Sequence, residues 1–393
     1  FFTVCNKAYG IVNHLIRKQK QQAHSALPFM TDTPKRKLRL MHICGSPGPS
    51  GTEKFFLRLI QAQMAEGIYE IIPVVKRKSW LESELKKLDI PYYTAPFGGK
   101  LFRFIDFKTT PILDHLIDNL KPDLIQTWVS PSNRLVPQTN VPQVARMGRQ
   151  FAMKYCKQAH FMVASTPDIE AHIRKSGFNE ERVAQIPTFV EMPAEGFKDF
   201  RFDVRAEYNI PEDAPVVLLL GRLHETKGFD VALFALNLLP QNVHILLVGD
   251  GPQSRALKAA VEADRLNNRV RFVGWVDNIP PFFAAADIFV LPSRRESSTN
   301  VVLEAWAHKL PVVATTIPAP KAMLSSGENA LLVSPDSEQE LARAIERLIA
   351  EQGLANQLAA AGHKKVKAEF ARDAVLEKYR KLYQTALARQ RGA

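Results

Sequence analysis

Two successive rounds of strand-then-helix alternation limit what this chain can fold into more than any other feature. From Leu38, short apolar runs recur at Arg39–Cys44, Ile71–Val75, Tyr92–Ala95, Leu124–Val129, Val144–Met147, Phe161–Ala164 and Val183–Ile186. Helical patterns separate several of them, including Glu53–Glu66, Ile112–Leu120 and Asp168–Ser176. The rhythm lapses at Pro187–Asp203, which reads as a hinge, and restarts at Pro215–Leu220. Further runs follow at His244–Val248, Val270–Val273, Ile288–Leu291, Val312–Ala314 and Leu331–Val333, with helices at Phe229–Leu239, Ser254–Leu266, Asn300–Lys309 and Glu338–Ala350. Apolar strands alternating with helices argue for parallel sheets covered on both faces. The 393 residues, 46% of them hydrophobic, suffice for two such cores.

In open parallel sheets, ligands bind outside the carboxyl ends of the strands. Three loops fall there. Gly45–Gly51 precedes the first helix, and its glycines let backbone approach an anion. It is neither G-x-G-x-x-G nor a P-loop, so a tight turn without a ligand fits as well. Gly221–Gly228 carries Arg222 and Lys227. Pro292–Thr299 carries Glu296 and ends at a helix start rich in capping types, Ser297, Ser298, Thr299 and Asn300, with Glu304 about one turn further on. Two cations and a helix N-terminus converging on one cleft would make a diphosphate site without a metal. Read one by one, Glu296 is equally a solvated loop residue and Glu304 a surface helix residue. Asp-x-Asp is absent, and no H-E-x-x-H or clustered His/Cys set occurs. Gly249-Asp250-Gly251-Pro252 resembles a dinucleotide turn but lacks its third glycine, having Ser254 there.

The net charge is +12, and residues 1–40 hold eight Lys or Arg against one Asp. Without a nucleic-acid motif, this balance points to phosphorylated ligands or an anionic membrane surface. No apolar run approaches the length of a membrane span. Cys5, Cys44 and Cys156 are too few for a disulfide framework or zinc site, which suits a reducing, cytoplasmic setting. The expected organisation is a flexible basic extension at 1–37, a first Rossmann-like domain at 38–190, a second at 191–371 and an amphipathic helix at 372–393. That helix places Val375, Tyr379 and Tyr383 on one face.

The second half resembles the retaining glycosyltransferases of family 4, whose fold is GT-B: two Rossmann-like, doubly wound parallel-sheet α/β domains facing across a cleft. The matching pieces are GRLHETKGFDVAL (221–233), HILLVGDGP (244–252), VRFVGWV (270–276), FVLPSRRESSTNVVLEAWAHKLPVVAT (289–315), which carries the Glu-x7-Glu signature as Glu296 and Glu304, and ENALLV (328–333). The first half matches more loosely, through the Gly-rich loop, the Val144–Gly148 strand end and the Ala164–Pro167 turn.

The resemblance implies metal-independent transfer of a sugar, with retention, from a nucleotide-diphosphate sugar to an acceptor hydroxyl, without a cofactor. Arg222 and Lys227 would hold the leaving diphosphate, joined by backbone at Ser298, Thr299, Asn300 and Val301. Glu304 would bind the ribose, Glu296 the transferred sugar and Val276 the base. Gly51 would close the first domain's loop on the phosphates. The acceptor implied is a cell-envelope saccharide or lipid-linked glycan, met in the cytoplasm or at the inner membrane face.

Two departures stand out. Ser297 follows the first glutamate where glycine is usual. Ala145–Arg149 lacks the His that many members place near the sugar, leaving Arg146 or Arg149 to replace it. A sugar-nucleotide epimerase of the same fold, which needs extra first-domain acids, and a non-catalytic nucleotide-sugar binder are the competing readings. A phosphorylase would want a pyridoxal lysine, and no such motif is visible.

Overall fold

The structure is a computed structural model that describes residues 36–98, 106–296 and 299–391. The expected extension up to residue 35, and Ser297 and Ser298, lie outside the described residues. From Leu38 the chain builds β1 (Leu38–Cys44), α1 (Gly51–Ala65), β2 (Tyr69–Lys76), α2 (Trp80–Lys87), β3 (Tyr93–Ala95), α3 (Asp106–Leu120), β4 (Leu124–Trp128), α4 (Val129–Leu135), β5 (Gln143–Met147), β6 (Phe161–Ala164), α5 (Pro167–Lys175) and β7 (Val183–Gln185). It continues through α6 (Phe200–Glu207), β8 (Val216–Leu220), α7 (Phe229–Leu236), β9 (His244–Val248), α8 (Ser254–Ala263), β10 (Val270–Gly274), α9 (Pro280–Ala285), β11 (Ile288–Leu291), α10 (Asn300–Ala307), β12 (Val312–Thr315), α11 (Pro318–Lys321) and β13 (Leu331–Val333). It closes with α12 (Glu338–Ala350), α13 (Gln352–Lys365) and α14 (Arg372–Arg391).

The strands form two parallel sheets, ordered β3-β2-β1-β4-β5-β6-β7 and β10-β9-β8-β11-β12-β13. In each, the first strand lies centrally and the order reverses beside it, at β1/β4 and at β8/β11. Such reversals open a crevice at the carboxyl ends of the strands. Central strands β4, β5, β8, β9, β11 and β12 are buried throughout. Burial on both faces is why β8 and β11 read as unbroken apolar runs, whereas β4 and β5 bury Gln126, Thr127, Gln143 and Arg146 among their apolar residues.

Phe189 and Val190 link the lobes, and the chain crosses back where the Val190 N–H donates to the Phe370 carbonyl at 2.9 Å. The next helix, α14, therefore packs on the N-terminal lobe. Val375, Tyr379 and Tyr383 are buried there with Phe55, Phe56 and Trp128. Phe55 and Phe56 meet Trp128 edge-on at 5.9 and 5.3 Å, contacts worth about 0.5–1.5 kcal/mol each beyond the area they bury. A buried polar chain runs through this core. Gln63 Nε2 donates to Tyr383 Oη at 3.1 Å, Tyr383 donates to Gln126 Oε1, and Arg146 Nε donates to Tyr379 Oη at 3.1 Å. Beside it, fully buried His42 accepts a hydrogen bond from Trp128 Nε1 at 3.3 Å. Burial holds His42 down at about 3, hence neutral.

Candidate active site

The two loops that follow β8 and β11 are built as one piece. Arg294 Nη1 and Nη2 grip Asp230 at 2.9 and 2.7 Å, and its Nε donates to Asp336 at 2.6 Å. Its Nη1 also reaches the Glu225 carbonyl at 2.8 Å, and its backbone N–H the Thr226 carbonyl at 2.8 Å. These partners hold the guanidinium charged well above its ordinary range. Gly228, at φ +62°, lets the first loop press on the second, because a Cβ there would stand 2.1 Å from the Pro292 carbonyl oxygen. A third loop backs the first. Cβ atoms at Gly249 and Gly251 would stand 1.9 Å from the Gly221 oxygen and 2.4 Å from the Leu223 oxygen. The Gly-Asp-Gly turn thus uses its glycines for close packing of loop on loop.

This frame sets Lys227 Nζ at 2.5 Å from Glu296 Oε1. Ser293 Oγ donates to the same oxygen at 2.8 Å, and Thr315 Oγ1 in turn donates to the Ser293 carbonyl at 2.6 Å. The Glu296 side chain is only 6% exposed, so it is not solvated as a free loop carboxylate would be. With both donors on Oε1, Oε2 has no partner among the described residues. Arg222 is exposed on the same loop, one residue past Gly221, and pairs with no described carboxylate.

Helix α10 starts beside them. Thr299 is its N-cap but makes no side-chain capping bond. Its Oγ1 lies 3.6 Å from Met323 Sδ instead. The start of α10 therefore lacks a capping hydroxyl from Thr299. One turn in, Glu304 keeps some exposed surface, yet burial raises its carboxyl, opposed first by Arg58 and then by Lys54. Neither cation figured in the sequence reading. The signal was their i, i+4 spacing on α1, opposite the apolar stripe Phe55, Phe56, Leu59 and Ile60. Behind α10, Trp306 Nε1 donates to the Asn329 carbonyl at 3.1 Å, and Gly362 of α13 admits the indole, since a Cβ there would meet it at 2.2 Å.

Val276 is half-buried after β10, Val301 half-buried in α10, and Asn300 opens that helix. Gly51 is the exposed first residue of α1, whose N-cap Ser50 accepts from the Thr52 N–H and donates to buried Glu53. Arg146 does not reach the cleft. It is 3% exposed, bonded to Tyr379 and, through Nη2, to Thr188 Oγ1 at 3.4 Å, and lies over Phe55 and Trp128. Among the described residues no group of three His, Cys, Asp or Glu is arranged to hold a metal ion. A cavity of about 450 Å³ opens at the other, amino-terminal edge of the second sheet, lined by Arg201, Phe283 and His308 among others, and plays no part in this arrangement.

Residues 214–351 match the family profile described as Glycosyl transferases group 1. A lipopolysaccharide core biosynthesis glycosyltransferase of Rhizobium meliloti, LpsE, is 30% identical over 344 residues, which cover 84% of this chain and 95% of that protein. The chain belongs to the group 1 glycosyltransferases. A second relative of this glycosyltransferase, LpsD of the same organism, is 28% identical over 360 residues, 90% of this chain and all of that protein. Among solved structures, Anabaena HepE in complex with UDP superposes with a TM-score of 0.73 over 88% of this chain and 100% of that one, at 18% identity. The glycosyltransferase has the GT-B fold, and among its described residues no helix is long and apolar enough to cross a membrane.

Proposed function

We propose that this glycosyltransferase moves a sugar, with retention and without a metal ion, from a nucleoside-diphosphate sugar to a hydroxyl of a cell-envelope saccharide or lipid-linked glycan. The observation that carries this is the Lys227–Glu296 pair, held at the switch point of the second sheet by the Arg294 clamp. Lys227 and exposed Arg222 are the cations available to a departing diphosphate. The α10 N-terminus adds backbone N–H groups from Thr299, Asn300 and Val301. Preorganised charge of this kind stabilises a leaving group without reorganising. Glu296 Oε2 is free to accept hydrogen bonds from the transferred sugar, and Glu304 from the ribose. Val276 backbone meets the base, and Gly51 closes over the phosphates. A leaving phosphate oxygen would take the acceptor proton, and attack would come on the face that the diphosphate leaves; among the described residues no other base is assigned to this step.

The names of the relatives support a lipopolysaccharide core acceptor, reached from the cytoplasmic side of the membrane. The two buried free thiols suit that setting, Cys156 being pushed up to about 11 and Cys44 higher still. The test pairs activity with folding. Lys227→Ala and Glu296→Ala should each lower transfer by about 10³-fold while near-UV circular dichroism stays that of the wild type. Transfer should survive EDTA, and the product's anomeric configuration, read by NMR, should match the donor's. Near-normal turnover in either folded variant removes the assignment. Loss of activity in EDTA, or an inverted product, removes the corresponding part of the mechanism.

A further inference from the structure

The groups assigned so far sit mostly on the C-terminal lobe, but α1 of the other lobe faces them with two cations. Its apolar stripe packs inward, so Lys54 and Arg58, four residues apart, share the outer face. Lys54 Nζ stands 5.1 Å from the ring centroid of Trp275, on the loop after β10, and that ring is 66% exposed. Lys54 is itself exposed and pairs with no described carboxylate. Arg58 is held rigidly, because Nη2 donates to the Phe189 carbonyl at 2.7 Å and the guanidinium lies 4.8 Å over the Phe189 ring. Glu304, by contrast, makes no side-chain hydrogen bond among the described residues.

We propose that α1 lends the nucleotide site two cations from across the cleft: Arg58 as the countercharge that keeps Glu304 a hydroxyl-accepting carboxylate, and Lys54 as a cation that leaves Trp275 for the diphosphate. This rests on the assignment of Glu304 to the ribose made above. A vicinal diol brings two donors and needs an acceptor-only carboxylate. A half-enclosed carboxylate without hydrogen bonds takes up a proton unless a fixed positive charge opposes it. Arg58 can supply that charge because a guanidinium stays protonated even where burial lowers its affinity for protons, as it does here. The charges bearing on Glu304 are Arg58 and Lys54 from α1, with Glu191 of the inter-lobe linker acting on Arg58. On its own helix, His308 contacts the Glu304 carbonyl oxygen, with Nδ1 at 2.7 Å. Lys54 sits in the first turn of α1, next to Gly51, and a diphosphate attracts an ammonium more strongly than an exposed indole face does. Arg58 is thus a positioning residue that acts through Glu304, whereas Lys54 would touch the ligand.

The experiment is calorimetric titration of UDP, GDP and ADP, continuing with the tightest and its nucleoside, from mildly acidic to neutral pH. The proteins are wild type, Glu304→Gln, Arg58→Met, Arg58→Lys and Lys54→Met, each first checked for folding. Arg58→Gln replaces the methionine variant should that one not fold. Wild-type affinity should fall as acid protonates Glu304, and Glu304→Gln should bind weakly with no acid limb. Arg58→Met should move the limb to higher pH and converge on wild type above it, and Arg58→Lys should move it back. Lys54→Met should weaken the nucleoside diphosphate about tenfold and leave nucleoside binding unchanged. A wild-type limb in Arg58→Met, or equal losses of nucleotide and nucleoside in Lys54→Met, overturns the proposal. Absence of nucleotide binding by the wild type, or wild-type binding by Glu304→Gln, is a different result, which removes the ribose assignment itself.

Discussion

The two lobes share an architecture but fix their functional loops by different means. In the C-terminal lobe, three strand-end loops are locked to one another through Arg294 and through glycines that bring backbone against backbone. In the N-terminal lobe the loop after β1 is tied at its start, where Gly45 packs on the Phe97 ring and donates to Ser132 Oγ at 2.7 Å, while Cβ atoms at Gly48 and Gly51 would meet nothing within 4 Å. The lobe's order comes from beneath, through the buried tyrosines of α14. Charge divides the same way. Residues 38–190 hold twenty Lys or Arg against fourteen Asp or Glu, and residues 191–371 hold nineteen against twenty-three. The C-terminal lobe thus concentrates a few fixed cations in an otherwise acidic body, while the N-terminal lobe is broadly basic. A site that must stabilise one defined leaving group gains from rigidity. Under the function proposed above the other lobe would meet the acceptor, and its diffuse charge would favour an anionic one.

Three substitutions sharpen this contrast. The largest effect belongs to Gly249→Ala, at φ +135° with the Gly221 oxygen in the way. It should cost about 3 kcal/mol or more, seen as a lower melting temperature with transfer lost in parallel. A wild-type melting temperature would mean that the loops can separate freely. Tyr383→Phe in α14 removes a hydroxyl that both accepts from Gln63 and donates to Gln126. It should cost about 1–3 kcal/mol by denaturant unfolding with nucleotide affinity unchanged, because Gln63 is buried beyond Arg58 on α1 and the lost bonds touch neither Lys54 nor Arg58.

The smallest effect is one of pH. His42 is neutral in the fold down to about 3 but protonates in the unfolded chain near its ordinary value of 6.5. The unfolded state therefore binds the extra proton between those values, and stability falls as pH drops below about 6.5. One unit below that, His42→Gln should recover about 1 kcal/mol relative to its loss at neutral pH. Parallel pH–stability curves for the two proteins would place the acid sensitivity elsewhere.

Much of this was legible in the sequence, for physical reasons. Strands buried on both faces appear as unbroken apolar runs, and those of the second half were located to within a residue or two. Helix α4 was missed because VSPSNRL carries no apolar period, and Val129 enters it at φ +57°, a conformation that no propensity suggests. The expected hinge at 187–203 runs into α6, which starts at Phe200, because that helix has only two buried positions to announce it. Helix α13 escaped notice through its polar and small residues, although Gly362 in it seats Trp306. That Lys227 and Glu296 lie at the same end of the sheet followed from the topology, but their ion pair and the burial of the Glu296 side chain did not, since these depend on Ser293 and the Arg294 clamp. Arg146 shows the reverse. Its place at the carboxyl end of β5 suggested the cleft, and only the aromatic rings beneath that strand reveal where the guanidinium goes. Lys54 and Arg58 announced only that they share one face of α1, and the groups of the other lobe that this face meets, Trp275 and Glu304, were not legible.

The return of α14 to the N-terminal lobe has a consequence for biogenesis. Synthesis begins with that lobe, yet Tyr379 and Tyr383, which finish its interior, emerge some two hundred residues later. Until then Phe55, Phe56 and Trp128 have one side open to whatever surrounds the nascent chain. The half of the molecule made first is therefore the half completed last, and a chain released after residue 371 should leave it exposed to chaperones and proteases while the later-made lobe can close.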